Sequence, residues 1–163
     1  MIRKSLAHET AKKLLSDAGI SSPPIKIQLL LHYLKKNSKM HIMERDFAKD
    51  VSGVTLTDEF GESFIGYRGE DHVHRQRFTV AHELGHVILG HTHPRSYGEV
   101  KKSDSCLEAN EFAAELLMPL GFLKADINAG ISDPRKLSGR YGVSEEAMWI
   151  KLKNSGLIGK LVQ

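Results

Sequence analysis

The feature that most constrains the fold is the segment 82–86, which reads H-E-L-G-H and lies in an apolar stretch. Residues four apart lie one turn above each other on one face of an α-helix, so both imidazoles reach one metal ion only if this segment is helical. Its neighbours are typical of a buried helix, in which polar groups need partners; they are Phe78, Val80, Ala81, Leu84, Val87, Ile88 and Leu89. We therefore predict a helix from about Arg75 to Leu89, with Gly90 as its stop.

The motif holds the residue types that a catalytic zinc site uses. Zinc prefers nitrogen and sulfur ligands in tetrahedral geometry, and a catalytic zinc keeps one position for water. His82 and His86 are the first two predicted ligands of a Zn2+ ion. Glu83 is the predicted catalytic base, because a carboxylate beside zinc-bound water can take its proton and later deliver it to a leaving amine. The motif thus indicates a zinc metallopeptidase.

A third ligand is expected on a second helix, which runs from about Ser105 to Leu117 and stops before Pro119. Its small and apolar face should pack on the metal helix and carries Cys106, Asn110, Ala113 and Leu117. Another face is polar and carries Glu108, Glu111 and Glu115. Cys106 is accordingly the predicted third ligand, as a thiolate, and Asn110 should steady a ligating imidazole from behind. Glu108 stays the alternative third ligand.

Two later histidines, His91 and His93, are not expected to bind the metal. The zinc-protease pattern H-E-x-x-H-x-x-G-x-x-H would need glycine at position 89 and histidine at position 92. The chain has Leu89 and Thr92 there. We interpret both histidines as solvated loop residues, and Arg77, before the motif, as a structural ion-pair residue.

Two segments carry a resemblance to a known family. Residues 77–86, RFTVAHELGH, and 108–119, EANEFAAELLMP, together resemble the ImmA/IrrE family of metallopeptidases. The resemblance implies a zincin-like domain whose protein substrate is a helix-turn-helix transcriptional repressor. Family members usually read E-x-E-A-N, the first glutamate being the expected third ligand, and Cys106 stands at that position here. A thiolate keeps the charge of that ligand but is softer and more easily oxidised.

The rest of the hydrophobic pattern predicts an α+β fold. Helices are expected over Leu6 to Ala18 and Ile25 to Lys36, and near 134–141 and 144–155. Segments 54–56 and 63–67 should form a hairpin, which His41 to Arg45 would widen to three strands. We predict a small antiparallel sheet packed on a helical bundle that carries the metal site. One domain spanning 1–163 is expected, made of N-terminal helices (1–38), sheet (40–68), metal-binding helices (75–119) and C-terminal helices (120–163).

Composition narrows the partners. With 23 basic and 20 acidic residues, the net charge of +3 is too slight to indicate nucleic acid or an anionic membrane. The segment 137–152 resembles a helix-turn-helix, but its second helix begins Ser144-Glu145-Glu146, which would repel phosphates, so a packing role is favoured and DNA contact is not expected. A single cysteine and the lack of a signal peptide or long apolar run predict a cytoplasmic protein.

A second function stays open at this point. The same fold could serve as a non-catalytic regulatory module that binds a repressor, an antitoxin partner or DNA without hydrolysis. The two functions differ in whether they need the carboxylate of Glu83.

Overall fold

The computed structural model describes residues 1–91 and 103–161, which contain seven α-helices, three strands and a short 3₁₀ helix. In chain order the elements are α1 (Lys4–Asp17), α2 (Ile27–Asn37), β1 (Met40–Arg45), β2 (Gly53–Thr57), β3 (Ser63–Arg68), α3 (Val73–Ile88), α4 (Asp104–Leu117), α5 (Leu120–Asn128), α6 (Pro134–Tyr141), α7 (Glu145–Asn154) and the 3₁₀ helix Ile158–Lys160. The predicted α+β class is confirmed. Among the described helices, none combines the length and the apolar character needed to cross a bilayer.

The sheet has the strand order β1-β3-β2. Strands β2 and β3 form the predicted antiparallel hairpin, with Thr55 opposite Ile65. Strand β1 runs parallel to β3, with Met40 opposite Ser63, so the sheet is mixed and the prediction of an antiparallel sheet holds only for the hairpin. The reason lies in the chain path: β2 reverses the direction once, and β3 then returns to the direction of β1.

The sheet and α1 flank a core built around the pair α3 and α4. Gly85 marks a close approach of these two helices, because a Cβ atom there would lie 3.2 Å from the Ala109 Cα and 3.0 Å from the Phe112 Cδ1. Ala109 and Phe112 are fully buried. A larger side chain at position 85 would push α4 away from the metal motif.

The polar face predicted on α4 is present, but it is not a solvent face. Helix α1 packs against α4, and Glu108 and Glu115 are 4% and 1% exposed. Each carboxylate meets a cation: Glu108 contacts Arg3, and Glu115 contacts Lys151. Buried carboxylates need such partners, so the glutamates tie α4 to its neighbours.

The C-terminal helices show one confirmed detail and one correction. Gly142, with φ 65°, makes the turn between α6 and α7, and the Ser144 side chain caps α7 by accepting from the Ala147 N–H. Arg77 donates to the carbonyl oxygens of Gly142 and Tyr141 at 3.0 and 3.3 Å. In the described part of the chain, Arg77 is therefore fixed by main-chain carbonyls rather than by the predicted ion pair.

Helix α5 was not predicted. It follows directly on Pro119, whose φ of −57° suits a helix start, and it buries Leu123 and Ile127, one turn apart. The proline marks the end of α4 as expected, but it is also the first residue before a new helix.

Candidate metal centre

Three side chains from α3 and α4 converge in the structure. The donor atoms of His82, His86 and Cys106 all lie within 4.8 Å of one another. The Nε2 atoms of His82 and His86 are 3.0 Å apart, and the Cys106 Sγ lies 3.9 Å from the His86 Nε2. We call these three residues the donor cluster.

The donor cluster fits a zinc ion in chemistry and in size. With Zn–N bonds of about 2.0–2.1 Å and Zn–S bonds of about 2.3 Å, tetrahedral geometry puts neighbouring ligand atoms roughly 3.3–3.6 Å apart. The separations of 3.0 and 3.9 Å lie on either side of that range, and the third separation is at most 4.8 Å. Shifts of roughly 1 Å or less would therefore bring the three atoms to zinc-binding distances. Two imidazoles and a thiolate are also a ligand set that zinc accepts.

Glu108, the alternative third ligand, is not brought to the donor cluster. Its carboxylate accepts four hydrogen bonds from Arg3, three from the guanidinium and one from the main-chain N–H, at 2.7–3.1 Å. These bonds are the main cause that holds the pKa of Glu108 at about 2, against an ordinary value of 4.5. Cys106 instead lies in the first turn of α4, where the helix dipole favours negative charge.

Asn110 contacts the first histidine of the motif. Its Oδ1 lies 2.8 Å from the His82 Nδ1, so a proton on that nitrogen donates to the amide oxygen and leaves the His82 Nε2 with its lone pair. Burial lowers the pKa of His82, and the hydrogen bond with Asn110 partly opposes this shift. The neutral imidazole favoured by burial is the form that binds metals.

His91 was interpreted as a solvated loop residue, and this interpretation is wrong. Its side chain is 5% exposed, with Nδ1 2.9 Å from the His86 Nδ1 and Nε2 3.0 Å from the Glu108 Oε2. The cause is Gly90, whose φ of 69° reverses the chain so that the His91 N–H bonds to the His86 carbonyl at 2.9 Å. The glycine stop was visible in the sequence, but where it would direct the next side chain was not. His93 lies outside the described residues.

Glu83 is linked to the sheet. Its Oε2 accepts a hydrogen bond of 2.5 Å from the hydroxyl of Thr55, which lies on β2. Gly53 allows this contact, because a Cβ there would meet the Thr79 Cγ2 at 2.4 Å and the Glu83 Cγ at 3.1 Å. Sequence reasoning missed Thr55, since only the packing of β2 on α3 brings residues 28 positions apart together.

The fold and the H-E-x-x-H helix together define a domain of the metallopeptidase type. The chain belongs to the peptidase family described as the IrrE N-terminal-like domain, whose family model matches residues 35–153. The resemblance found in the sequence is thereby confirmed.

A solved structure agrees in fold. A Mycobacterium tuberculosis transcriptional regulator is 18% identical to this chain, with a TM-score of 0.65 over 91% of this chain and 46% of that chain. The chain thus spans less than half of the regulator's length, and the likeness extends to the fold alone. A search of curated proteins gives no match.

Proposed function

We propose that this protein is a zinc-dependent metalloendopeptidase that cleaves a regulatory protein in the cytoplasm. The observation that carries the proposal is the convergence of His82, His86 and Cys106, two of which lie on the helix that also carries Glu83. Family membership supports a peptidase role, and the structural neighbour named a transcriptional regulator supports a link to transcription. A helix-turn-helix repressor is the expected kind of substrate.

Each residue of the site then has a chemical task. A zinc ion held by the donor cluster would polarise the scissile carbonyl and lower the pKa of bound water from about 15.7 towards 7. Glu83 would serve as the base that accepts a proton from the attacking water and passes it to the nitrogen of the leaving amine. Thr55 keeps the Glu83 carboxylate in place through its hydroxyl. The Asn110 Oδ1 would orient His82 by accepting from its Nδ1–H.

The sheet offers a way to hold the substrate. Strand β2 is an edge strand in the order β1-β3-β2, and Thr55 on this strand contacts Glu83. A peptide that adds to this edge as a further strand would run past Glu83 with its main chain hydrogen-bonded to β2. Such a substrate segment must be extended, which favours a linker or an unfolded stretch over a helix.

The proposal includes neither DNA nor a membrane as a partner. Glu145 and Glu146 fill the first turn of α7, where a recognition helix would meet phosphates. The overall charge of +3 gives no strong attraction to an anionic surface.

The decisive experiment incubates the purified chain with the repressor encoded beside its gene, once with zinc and once with a chelator. We expect cleavage only with zinc, in the wild type and in Glu59→Gln, a control that alters an exposed glutamate. Cleavage that persists in chelator, or an intact repressor in every arm, would contradict the proposal.

One observation favours a second function. Cys106 stands where the family usually has a glutamate, and a softer, oxidisable ligand suits a chain that binds its partner without cutting it. The test uses Glu83→Ala. If the chain binds the repressor, and this substitution changes neither cleavage of the repressor nor the regulation downstream of it, the binding module is the better description.

A further inference from the structure

We propose that His91 is a positioning residue of the metal centre, which accepts the Nδ1–H of His86 and thereby turns the His86 Nε2 towards the zinc ion. The inference rests on the proposed zinc site. It adds a residue outside the H-E-x-x-H motif, and it connects the donor cluster to Glu108 and Arg3.

The contacts form one continuous relay. The His86 Nδ1 lies 2.9 Å from the His91 Nδ1, and the His91 Nε2 lies 3.0 Å from the Glu108 Oε2. The Arg3 Nη2 closes the relay at 2.7 Å from the same oxygen. The side chains of His91 and Glu108 are each only 5% exposed, so water competes little with these bonds.

The negative charge of Glu108 determines which ring nitrogen carries the proton in His91 and in His86. A carboxylate held by the Arg3 guanidinium can only accept, so the proton on His91 belongs to Nε2. Neutral His91 then has its lone pair on Nδ1, and the proton between the two Nδ1 atoms belongs to His86. Neutral His86 in turn has its lone pair on Nε2, the nitrogen that faces His82 and Cys106.

The two histidines of the motif are therefore supported unequally. His82 donates to a neutral amide, Asn110, on the half of α4 that faces it. His86 donates to His91, which in turn donates to the Glu108 carboxylate of the ion pair with Arg3. A carboxylate behind a ligating imidazole raises the basicity of that imidazole. Losing an outer partner of a metal ligand typically costs about 10- to 100-fold in metal affinity.

The test measures zinc affinity by competition with a coloured chelator. We expect His91→Leu to bind zinc roughly 10- to 100-fold more weakly than the wild type. His91→Gln should recover most of the affinity, because its amide can accept from His86 and donate to Glu108. His32→Gln, which changes an exposed histidine on α2, should bind like the wild type.

A second measurement needs no variant. Ring-nitrogen NMR of the zinc-loaded wild type should show His86 bound through Nε2 with its proton on Nδ1, and the proton of His91 on Nε2. Zinc bound through the His86 Nδ1, or equal zinc affinity in the wild type, His91→Leu and His91→Gln, would overturn the inference while leaving the zinc site intact. A wild-type chain that binds no zinc would instead overturn the proposed function and this inference with it.

Discussion

Two buried polar clusters lie on α4 and its neighbours, and they are built on opposite principles. In the C-terminal cluster, Lys151 donates to Glu115 at 2.5 Å, and Arg140 and Tyr141 donate to Asp126 at 2.7–3.1 Å. There each carboxylate meets groups that can only donate to it. In the donor cluster, the metal-binding atoms of three side chains face one another instead. These side chains are His82, His86 and Cys106.

The difference separates stability from function. Ion pairs that are closed within the protein need nothing further, and breaking one leaves a buried charge. Converging imidazoles and a thiolate gain most when a cation joins them. We therefore expect substitutions in the C-terminal cluster to reduce the free energy of unfolding without altering zinc binding. Substitutions in the donor cluster should weaken zinc binding and leave the free energy of unfolding of the metal-free chain nearly unchanged.

The largest expected effect follows from Glu83→Gln. The amide cannot take a proton from water, so cleavage of the repressor should fall by about 10²- to 10⁴-fold. Zinc binding should be unchanged, because Glu83 is not one of the three converging donors. Cleavage rates measured on gels test this prediction, with Glu59→Gln as the control. A cleavage rate in Glu83→Gln equal to that of the wild type would refute the role of Glu83 as the base.

Lys151→Ala should have the next largest effect. It leaves the Glu115 carboxylate, 1% exposed, without its ammonium partner, and breaking a buried pair in this way typically costs about 3–5 kcal/mol. Chemical denaturation should show this loss in the free energy of unfolding, while zinc bound per folded chain stays constant. Lys153→Ala, on the exposed face of the same helix, should change little. A reduced zinc content in folded Lys151→Ala would mean that the two clusters are coupled.

Cys106→Ala should remove a ligand while leaving the fold intact. We expect zinc affinity to fall by more than about 100-fold, the upper end of the loss caused by removing only an outer partner of a ligand. Metal analysis after gel filtration measures this, with Ser105→Ala as the neighbouring control. Stoichiometric zinc in Cys106→Ala would contradict the assignment of Cys106.

Tyr141→Phe should affect stability moderately. The Tyr141 hydroxyl donates to the Asp126 Oδ2 at 2.7 Å inside the core, and a hydrogen bond to a charged group contributes about 1.5–3 kcal/mol. Denaturation curves of this variant and of Tyr33→Phe, on α2, should differ by that amount. Equal stabilities would mean that Arg140 alone satisfies Asp126.

The smallest effect is expected from Glu108→Gln and should depend on pH. Because Arg3 holds the folded-state pKa of Glu108 at about 2, below its ordinary 4.5, ionised Glu108 stabilises the fold above about pH 4.5, and this contribution is lost as the pH falls towards 2. The gain is small, since the Arg3 side chain is 52% exposed. Melting temperatures of wild type and Glu108→Gln should therefore differ above pH 5 and converge near pH 2. A gap that does not change with pH would argue against the ion pair.

Much of the fold could be predicted because its signals are local. The apolar pattern around the motif and Gly90 placed α3 within two residues of its observed ends, Val73 and Ile88. The parallel pairing of β1 with β3 could not be predicted in this way, because the pairing of distant strands depends on the path of the chain between them. Helix α5 was missed because Pro119 was interpreted only as a stop.

The candidate site divides in the same manner. His82, Glu83 and His86 follow from spacing within one helix, and the phase of a second helix predicted that Cys106 and Asn110 would face them. Thr55, His91 and Arg3 approach the site only through tertiary packing, and their residue types carry no motif. The prediction that His91 is solvated was wrong, because its environment depends on the backbone turn at a single glycine.

Gly85 also bears on which ions the site can accept. Since α3 rests almost directly on the main chain of Ala109, the gap between the two helices is set by backbone contact rather than by adaptable side chains. The donors on α3 and α4 are then held at a nearly fixed span before any ion arrives. A large ion such as Ca²⁺, which takes six to eight oxygen ligands, would need a wider and more pliable cage. The smallest residue of the motif thus fixes the spacing of the donors, and a bulkier residue there should reduce the selectivity of the site between ions.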